Sequence, residues 1–184
     1  EMTSSLVGSE MCIRDRDFIM TITLARIDDR VIHGQTTTRW TKARSVQGIL
    51  VVGDDIAKDD LRKKVLKAAA GNLKLGIYTT EQAIESVPKG RDSAKDFFLI
   101  SNSPQTFAEL VRLGVDFGKL LNVGPMNTRE GAKVLGRTVA IDEKDYEAFD
   151  YMDQQGIEIK FQLLPDDEPK SWKVMKAKYD SLMS

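Results

Sequence analysis

An open, doubly wound, mostly parallel α/β sheet with helices on both faces is the fold this sequence predicts. Three observations carry the prediction. Short, near-continuous apolar runs such as Gly48–Val52 and Leu120–Val123 suit strands covered on both sides. Amphipathic segments separate these runs, which is the alternation of βαβ units. Helix start and stop residues stand at the boundaries, as at Ser103-Pro104 and Gly114. The length of 184 residues fits one domain that buries roughly two thirds of its unfolded surface.

The pattern begins close to Met20. Strands are expected at Thr21–Ile27, Gly48–Val52, Lys74–Tyr78, Phe97–Ile100 and Leu120–Val123, with late strands at Thr138–Ile141 and Ile157–Leu164. A first helix runs from Gln35 to about Lys42. A second carries the stripe Leu61, Val65, Leu66 and Ala69 behind the acidic cluster Asp54, Asp55, Asp59 and Asp60. Thr79 or Thr80 caps a third, which buries Ala83, Ile84 and Val87 and gives way at Pro88. Ser103 caps the next, with Phe107, Leu110 and Val111 on one face. Asp142 caps a helix burying Tyr146 and Phe149, with Gly156 at its end. Pro165–Lys170 is a polar turn region, and Ser171 opens a terminal helix with Trp172, Met175, Tyr179 and Leu182 on one side.

Residues 1–16 have neither helical nor strand periodicity and lack the form of a secretory signal. They are read as a non-native or disordered N-terminal segment, and residues 20–184 as the folded domain. The tract Val7–Arg16 resembles a translated sequencing-adapter scar. With Cys12 set aside, a lone His is poor material for a metal site, and no internal disulfide can form. Neither metal nor cofactor is expected. A net charge of -1 gives no global drive towards nucleic acid, and no apolar run approaches the ~20 residues of a membrane helix.

Open parallel sheets bind ligands beyond the carboxyl ends of their strands, so the loops near Asp28, Gly53, Thr79, Ser101 and Gly124 matter most. The first reads Arg26-Ile27-Asp28-Asp29-Arg30-Val31-Ile32-His33-Gly34-Gln35 and contains the sole His. It puts His33 just before a helix, whose free N–H groups and positive dipole end suit a phosphate. Imidazole is a competent nucleophile because its pKa of about 6.5 leaves it mostly neutral at pH 7. Arg30 can stabilise phosphoryl oxygens. Asp28 or Asp29 can hold the ring nitrogen that does not react, or hold Arg30. Gly34 lets the backbone approach a phosphate closely, and Gln35 can donate to it. Arg26, Arg39 and Lys42 can form a basic rim for acidic partners, Ser101 and Asn102 can line the site, and Trp40 is assigned to the core. The bland alternative is a packed or surface His beside a solvated charge cluster.

The segment LARIDDRVIHGQTTTRW, Leu24–Trp40, resembles the opening of the IIB component of the mannose/fructose/sorbose family of the bacterial phosphoenolpyruvate-dependent sugar phosphotransferase system. The similarity continues through Val51–Ala70, Phe98–Pro104, Asn122–Lys133 and Val139–Phe161. Pro125 departs from the family's usual Gly, and Gly71-Asn72 from a common Pro-Pro-Gly turn. The resemblance implies that His33 is phosphorylated, on Nδ1, with Arg30 assisting. It further implies a IIA phosphodonor, membrane IIC and IID subunits presenting sugar, and a cytoplasmic location peripheral to that permease. Arg26, Asp29, Gly34 and Gln35 are the expected phosphate- or partner-binding residues. The alternative is a regulatory IIB-like phosphoprotein that signals sugar flux without transferring to sugar.

Two other classes fit poorly. A receiver domain would use Asp28-Asp29, but it also needs an Asp after the third strand and a Lys after the fifth, where Tyr78–Thr80 and Asn122–Gly124 stand. A nucleotide-binding enzyme needs a glycine fingerprint that the chain does not contain.

Overall fold

The computed structural model describes residues 22–184; residues 1–16, Cys12 and the expected strand start at Thr21 lie outside them. The main sheet holds β1 (Ile22–Ile27), β2 (Gly48–Val52), β3 (Lys74–Tyr78), β4 (Phe97–Ser101), β5 (Leu120–Val123), β8 (Glu158–Phe161) and β9 (Lys170–Ser171). Their order is β3-β2-β4-β1-β5-β8-β9. Every pairing is parallel except β8 with β9. The expected strands at 48–52, 74–78 and 120–123 are found with the same bounds.

Helices α1 (Gly34–Arg44), α2 (Asp54–Lys58) and α3 (Asp60–Ala70) cover one face. Trp40, Ile56 and Leu66 meet Leu24, Ile49, Val51, Phe98 and Ile100 there. Helices α4 (Thr80–Arg91), α5 (Pro104–Arg112), α6 (Glu143–Gln154) and α7 (Trp172–Met183) cover the other. Val87, Phe107, Phe149 and Trp172 meet Ile27, Leu99, Leu121 and Phe161 in that core. Both layers follow from strand alternation, with Leu24 facing one side and Ala25 and Ile27 the other. The connection leaving β1 runs over the first face and that leaving β4 over the second. The adjacent carboxyl ends of β1 and β4 are therefore the switch point at which such sheets open a crevice.

The capping residues act as expected. Thr79 and Asp142 each close a capping box, with Gln82 and Asp145 respectively. Ser103 and Ser171 accept from the backbone three residues on.

Five expectations are corrected. Ile84, expected to be buried with Ala83 and Val87, is 41% exposed. Leu61 and Val65 are 73% and 58% exposed, and Ala69 is exposed; the unforeseen α2 puts Ile56 into that face, and α3 packs by Leu66 and Ala70. Helix α4 runs through Pro88 to Arg91. Gly90 packs against Leu50 there, so closely that a Cβ would sit 2.7 Å from its Cδ1. Ala140–Ile141 (β7) leaves the main sheet to pair antiparallel with Lys133–Val134 (β6). The strand expected over 157–164 stops at Phe161, because the carbonyls of Gln162 and Leu163 turn to a buried arginine.

Candidate active site

Strand alternation puts Leu24, Arg26 and Asp28 on the α1 face of β1. Arg26 is 2% exposed, so it is an internal strut and not part of the expected basic rim. Its guanidinium donates to Asn122 Oδ1, to the Gln162 carbonyl at 3.0 Å, to the Leu163 carbonyl at 3.2 Å and to Asp28 Oδ2 at 3.4 Å. It lies 5.1 Å from the Trp40 ring centroid. Burial lowers its pKa to about 10 against the opposing pull of Asp28. Trp40 belongs to the core, as expected, and donates Nε1–H to the Leu163 carbonyl at 3.0 Å. Gly124 makes room for this cluster; a Cβ there would lie 2.2 Å from Arg26 Nη2.

Asp28 is fully buried. Its backbone N–H donates to the Ser101 carbonyl at 2.9 Å, across the switch point. Its Oδ1 accepts from the Arg30 N–H at 3.1 Å and meets His33 Nε2 at 2.9 Å. The chain returns His33 to this carboxylate through a turn closed by Val31 N–H to the Asp28 carbonyl. Val31 takes φ +61° in that turn, a region β-branched residues avoid. Its side chain is held in the α1-face core. His33 is the N-cap of α1, but its side chain does not cap. The ring instead points to Asp28, with 12% of the side chain exposed.

Since every other group on the Asp28 oxygens is a donor, Asp28 acts as the acceptor and His33 Nε2 carries the hydrogen. In the neutral ring Nδ1 then keeps its lone pair. Asp28, not Asp29, therefore holds the histidine.

Asp29 points to the other face. Its N–H donates to the Pro125 carbonyl at 3.1 Å and its Oδ2 accepts from the Asn127 N–H. Burial raises its pKa, against the Asn127 N–H and Arg129. Arg129 in turn donates to Asp142 and Asp145, and Gln105 donates to Asp145 at 2.8 Å. Arg30 is exposed, and among the described residues its guanidinium has no hydrogen bond or ion pair.

Gly34 is suited by its φ of +38° and not by close packing, since a Cβ there would meet nothing within 4 Å. The backbone of Gln35 lies in the first turn of α1; its side chain is outside the described residues. Arg39 pairs with Asp166 at 2.6 Å in the open, and Lys42 is exposed. Asn102 donates to Asp55 at 3.1 Å, and the Ser101 hydroxyl and Asn102 amide oxygen are buried without a partner among the described residues. Sequence reasoning does not single out Asn122 and Gln162 as site residues. The register pairing of Arg26 with Asn122 was open to the alternation argument; the Gln162 and Leu163 carbonyls carry no sequence signal.

A family model described as the sorbose-subfamily IIB component of the phosphotransferase system matches residues 22–183. The chain belongs to that family. It is thus a phosphotransferase component of phosphotransferase-system sugar transport. The sorbose-specific EIIB component of Klebsiella pneumoniae is 35% identical over 149 residues, covering 80% of this chain and 90% of that protein. The fructose-specific EIIB component of Bacillus subtilis (strain 168) is 34% identical over 150 residues, covering 81% and 91%. A mannose-specific EIIAB component of Escherichia coli (strain K12) is 36% identical, and this chain spans 46% of it. The crystal structure of the IIBSor domain of the Klebsiella pneumoniae sorbose permease superposes with a TM-score of 0.78 at 33% identity. It covers 88% of this chain and 98% of that one. No helix among the described residues is long and apolar enough to cross a membrane.

Proposed function

We propose that His33 is the residue that carries the phosphoryl group. The observation that supports this best is the 2.9 Å contact of Nε2 with buried Asp28, which leaves Nδ1 as the free nucleophile. The donor is the phosphohistidine of a IIA partner. Nδ1 attacks phosphorus in line, the Nδ1–P bond forms, and the P–N bond to the donor histidine breaks. His33 keeps its Nε2 hydrogen, so the phosphorylated ring is cationic and the Asp28 carboxylate stabilises it. In the second step a sugar hydroxyl attacks phosphorus, the Nδ1–P bond breaks, His33 leaves as neutral imidazole, and the hydroxyl proton goes to solvent.

Arg30, exposed on the same loop, supplies charge to the phosphoryl oxygens, and the first N–H groups of α1 supply donors. Gly34 and Gln35 form that helix start. Asp29 serves by bracing the loop against Asn127, and Arg26 by holding Asp28. The sugar is presented by membrane IIC and IID subunits, and the protein works in the cytoplasm, peripheral to that permease. A relay role is favoured over a purely regulatory one because a relative combines IIA and IIB in one EIIAB component.

The test is intact mass without acid after incubation with phosphoenolpyruvate, Enzyme I, HPr and a matching IIA. Wild type gains one phosphate and His33→Ala gains none. No gain on wild type, while the same IIA phosphorylates a known IIB, overturns the reading.

A further inference from the structure

The loop that follows β8 reaches the histidine site at two carbonyls. That of Leu163 accepts from Trp40 Nε1 of α1 at 3.0 Å and from Arg26 Nη2 of β1 at 3.2 Å. That of Gln162 accepts from Arg26 Nη1 at 3.0 Å. The Gln162 side chain folds the loop into the turn that presents them. Its Nε2 donates to the Asp167 carbonyl at 2.7 Å and to the Pro165 carbonyl at 3.2 Å, and its Oε1 accepts from Asn122 Nδ2 at 3.3 Å. The Asp167 carboxylate adds a second clasp by accepting from the Leu164 N–H at 2.8 Å.

These bonds run in one direction. A guanidinium only donates, so Asn122 turns Oδ1 to Arg26 and Nδ2 to Gln162. Gln162 then gives Oε1 to Asn122 and Nε2 to two carbonyls, which only accept. With a pure donor at one end and pure acceptors at the other, neither amide can flip without setting like against like.

This relay decides where Arg26 stands. Among the described residues, three of its four hydrogen-bond acceptors are Asn122 Oδ1 and the carbonyls of Gln162 and Leu163. They draw the guanidinium towards the loop, so that it reaches the fourth, Asp28 Oδ2, only at 3.4 Å. Asp28 Oδ1 meets His33 Nε2 at 2.9 Å. A buried carboxylate divides its attraction between the groups that face it, and the closer one gains more. Holding Arg26 back therefore leaves Asp28 to the imidazole.

We propose that Gln162 is a positioning residue for His33: its side chain keeps Arg26 off Asp28, and so keeps the ring hydrogen on Nε2. Without that amide the guanidinium closes on Asp28 Oδ2, the carboxylate binds the Nε2 hydrogen less tightly, and Nδ1 is free in a smaller share of molecules. The consequence for phosphoryl transfer rests on the carrier reading above; the ring geometry does not.

His33 is the only histidine of the chain, so nitrogen-15 histidine labelling of the full chain reports on one imidazole. The experiment is long-range proton–nitrogen NMR at about pH 8.5, above the ordinary imidazole pKa of about 6.5. Wild type is expected to show a protonated Nε2 and a bare Nδ1. Gln162→Met and Gln162→Leu should lower the ratio of the Nε2–H to the Nδ1–H tautomer at least about threefold, and slow phosphate uptake about tenfold. Val87→Ala is the control for mere loss of stability: Val87 is buried in the core that includes Phe107 and Leu99, outside the relay, and its truncation leaves a cavity. Circular dichroism melts verify that each variant is folded. A wild-type ring protonated on Nδ1, an unchanged tautomer ratio in the folded Gln162 variants, or an equal change in Val87→Ala each overturn the positioning role. Phosphate uptake is measured on the same samples. Phosphate gain on wild type with an unchanged ring in the variants removes the positioning role alone. A displaced tautomer ratio in the variants without phosphate gain on wild type supports the positioning role and removes the carrier reading.

Discussion

Asp28 and Asp29 are adjacent, identical in type and opposite in consequence. Asp28 turns to the α1 face, where it is fully buried between Arg26 and His33. Asp29 turns to the α5 and α6 face, where it is partly exposed and braces the Asn127 backbone. On the first side a buried cation fixes a carboxylate, which fixes an imidazole, and the chain of contacts ends on a free ring nitrogen. On the second side burial opposes the charge of Asp29, and among the described residues no cation donates to it. Strand alternation alone distributes these roles. The same substitution at the two positions should therefore act with opposite sign.

The largest effect is expected from Asp28→Asn. The amide leaves Arg26 buried without a carboxylate and turns an NH2 group either towards Arg26 or towards the Arg30 N–H and His33 Nε2 together. Removing one partner of a buried pair costs about 3–5 kcal/mol; the remaining acceptors on Arg26, Asn122 and two carbonyls, hold the expected loss near ~3 kcal/mol. Urea unfolding measures it. On the proposed carrier role of His33, phosphate uptake should fall by at least about 10²-fold, because the ring tautomer is no longer fixed. Wild-type stability and uptake in this variant would end the distinction between the two aspartates.

A middle effect comes from Gly124→Ala, which sharpens the comparison by moving Arg26 without altering any charge. The added Cβ would lie 2.2 Å from Nη2, and overpacking of this kind costs about 1–3 kcal/mol. Uptake should drop with stability, because Arg26 shifts against Asp28. A loss of stability with full uptake would mean that Asp28 holds His33 without help from Arg26.

The strands and most caps were legible because apolar runs and cap residues act locally: Gly48–Val52, Lys74–Tyr78 and the Asp142 cap are where the pattern puts them. The histidine loop was legible as a site because its residue types coincide in a short stretch. Its wiring was less so. Arg26 looks like a surface cation in sequence, and the partners that make its burial tolerable include the carbonyls of Gln162 and Leu163, 136 and 137 residues away. The exposure of Leu61 and Val65 was equally hidden, since it depends on where α2 places Ile56.

The smallest effect tests the second side. Burial raises the pKa of Asp29 above the ordinary carboxylate value of 3.8, so the folded chain binds this proton more tightly than the unfolded chain. A raised carboxyl favours the folded state below the unfolded pKa, and that advantage is lost as pH rises through the folded pKa. Asp29→Asn resembles the protonated group in shape and keeps an oxygen for the Asn127 N–H. The variant should match wild type below about pH 4 and become slightly the more stable as pH rises towards 7. Solvent screening at this partly exposed position keeps the gain small. Urea unfolding at a series of pH values reads the difference. A gain that grows with pH here, beside a loss in Asp28→Asn, would show that the two faces of the sheet assign opposite roles to one residue type; a loss at position 29 at neutral pH would mean that Arg129 stabilises the Asp29 carboxylate more than burial opposes it.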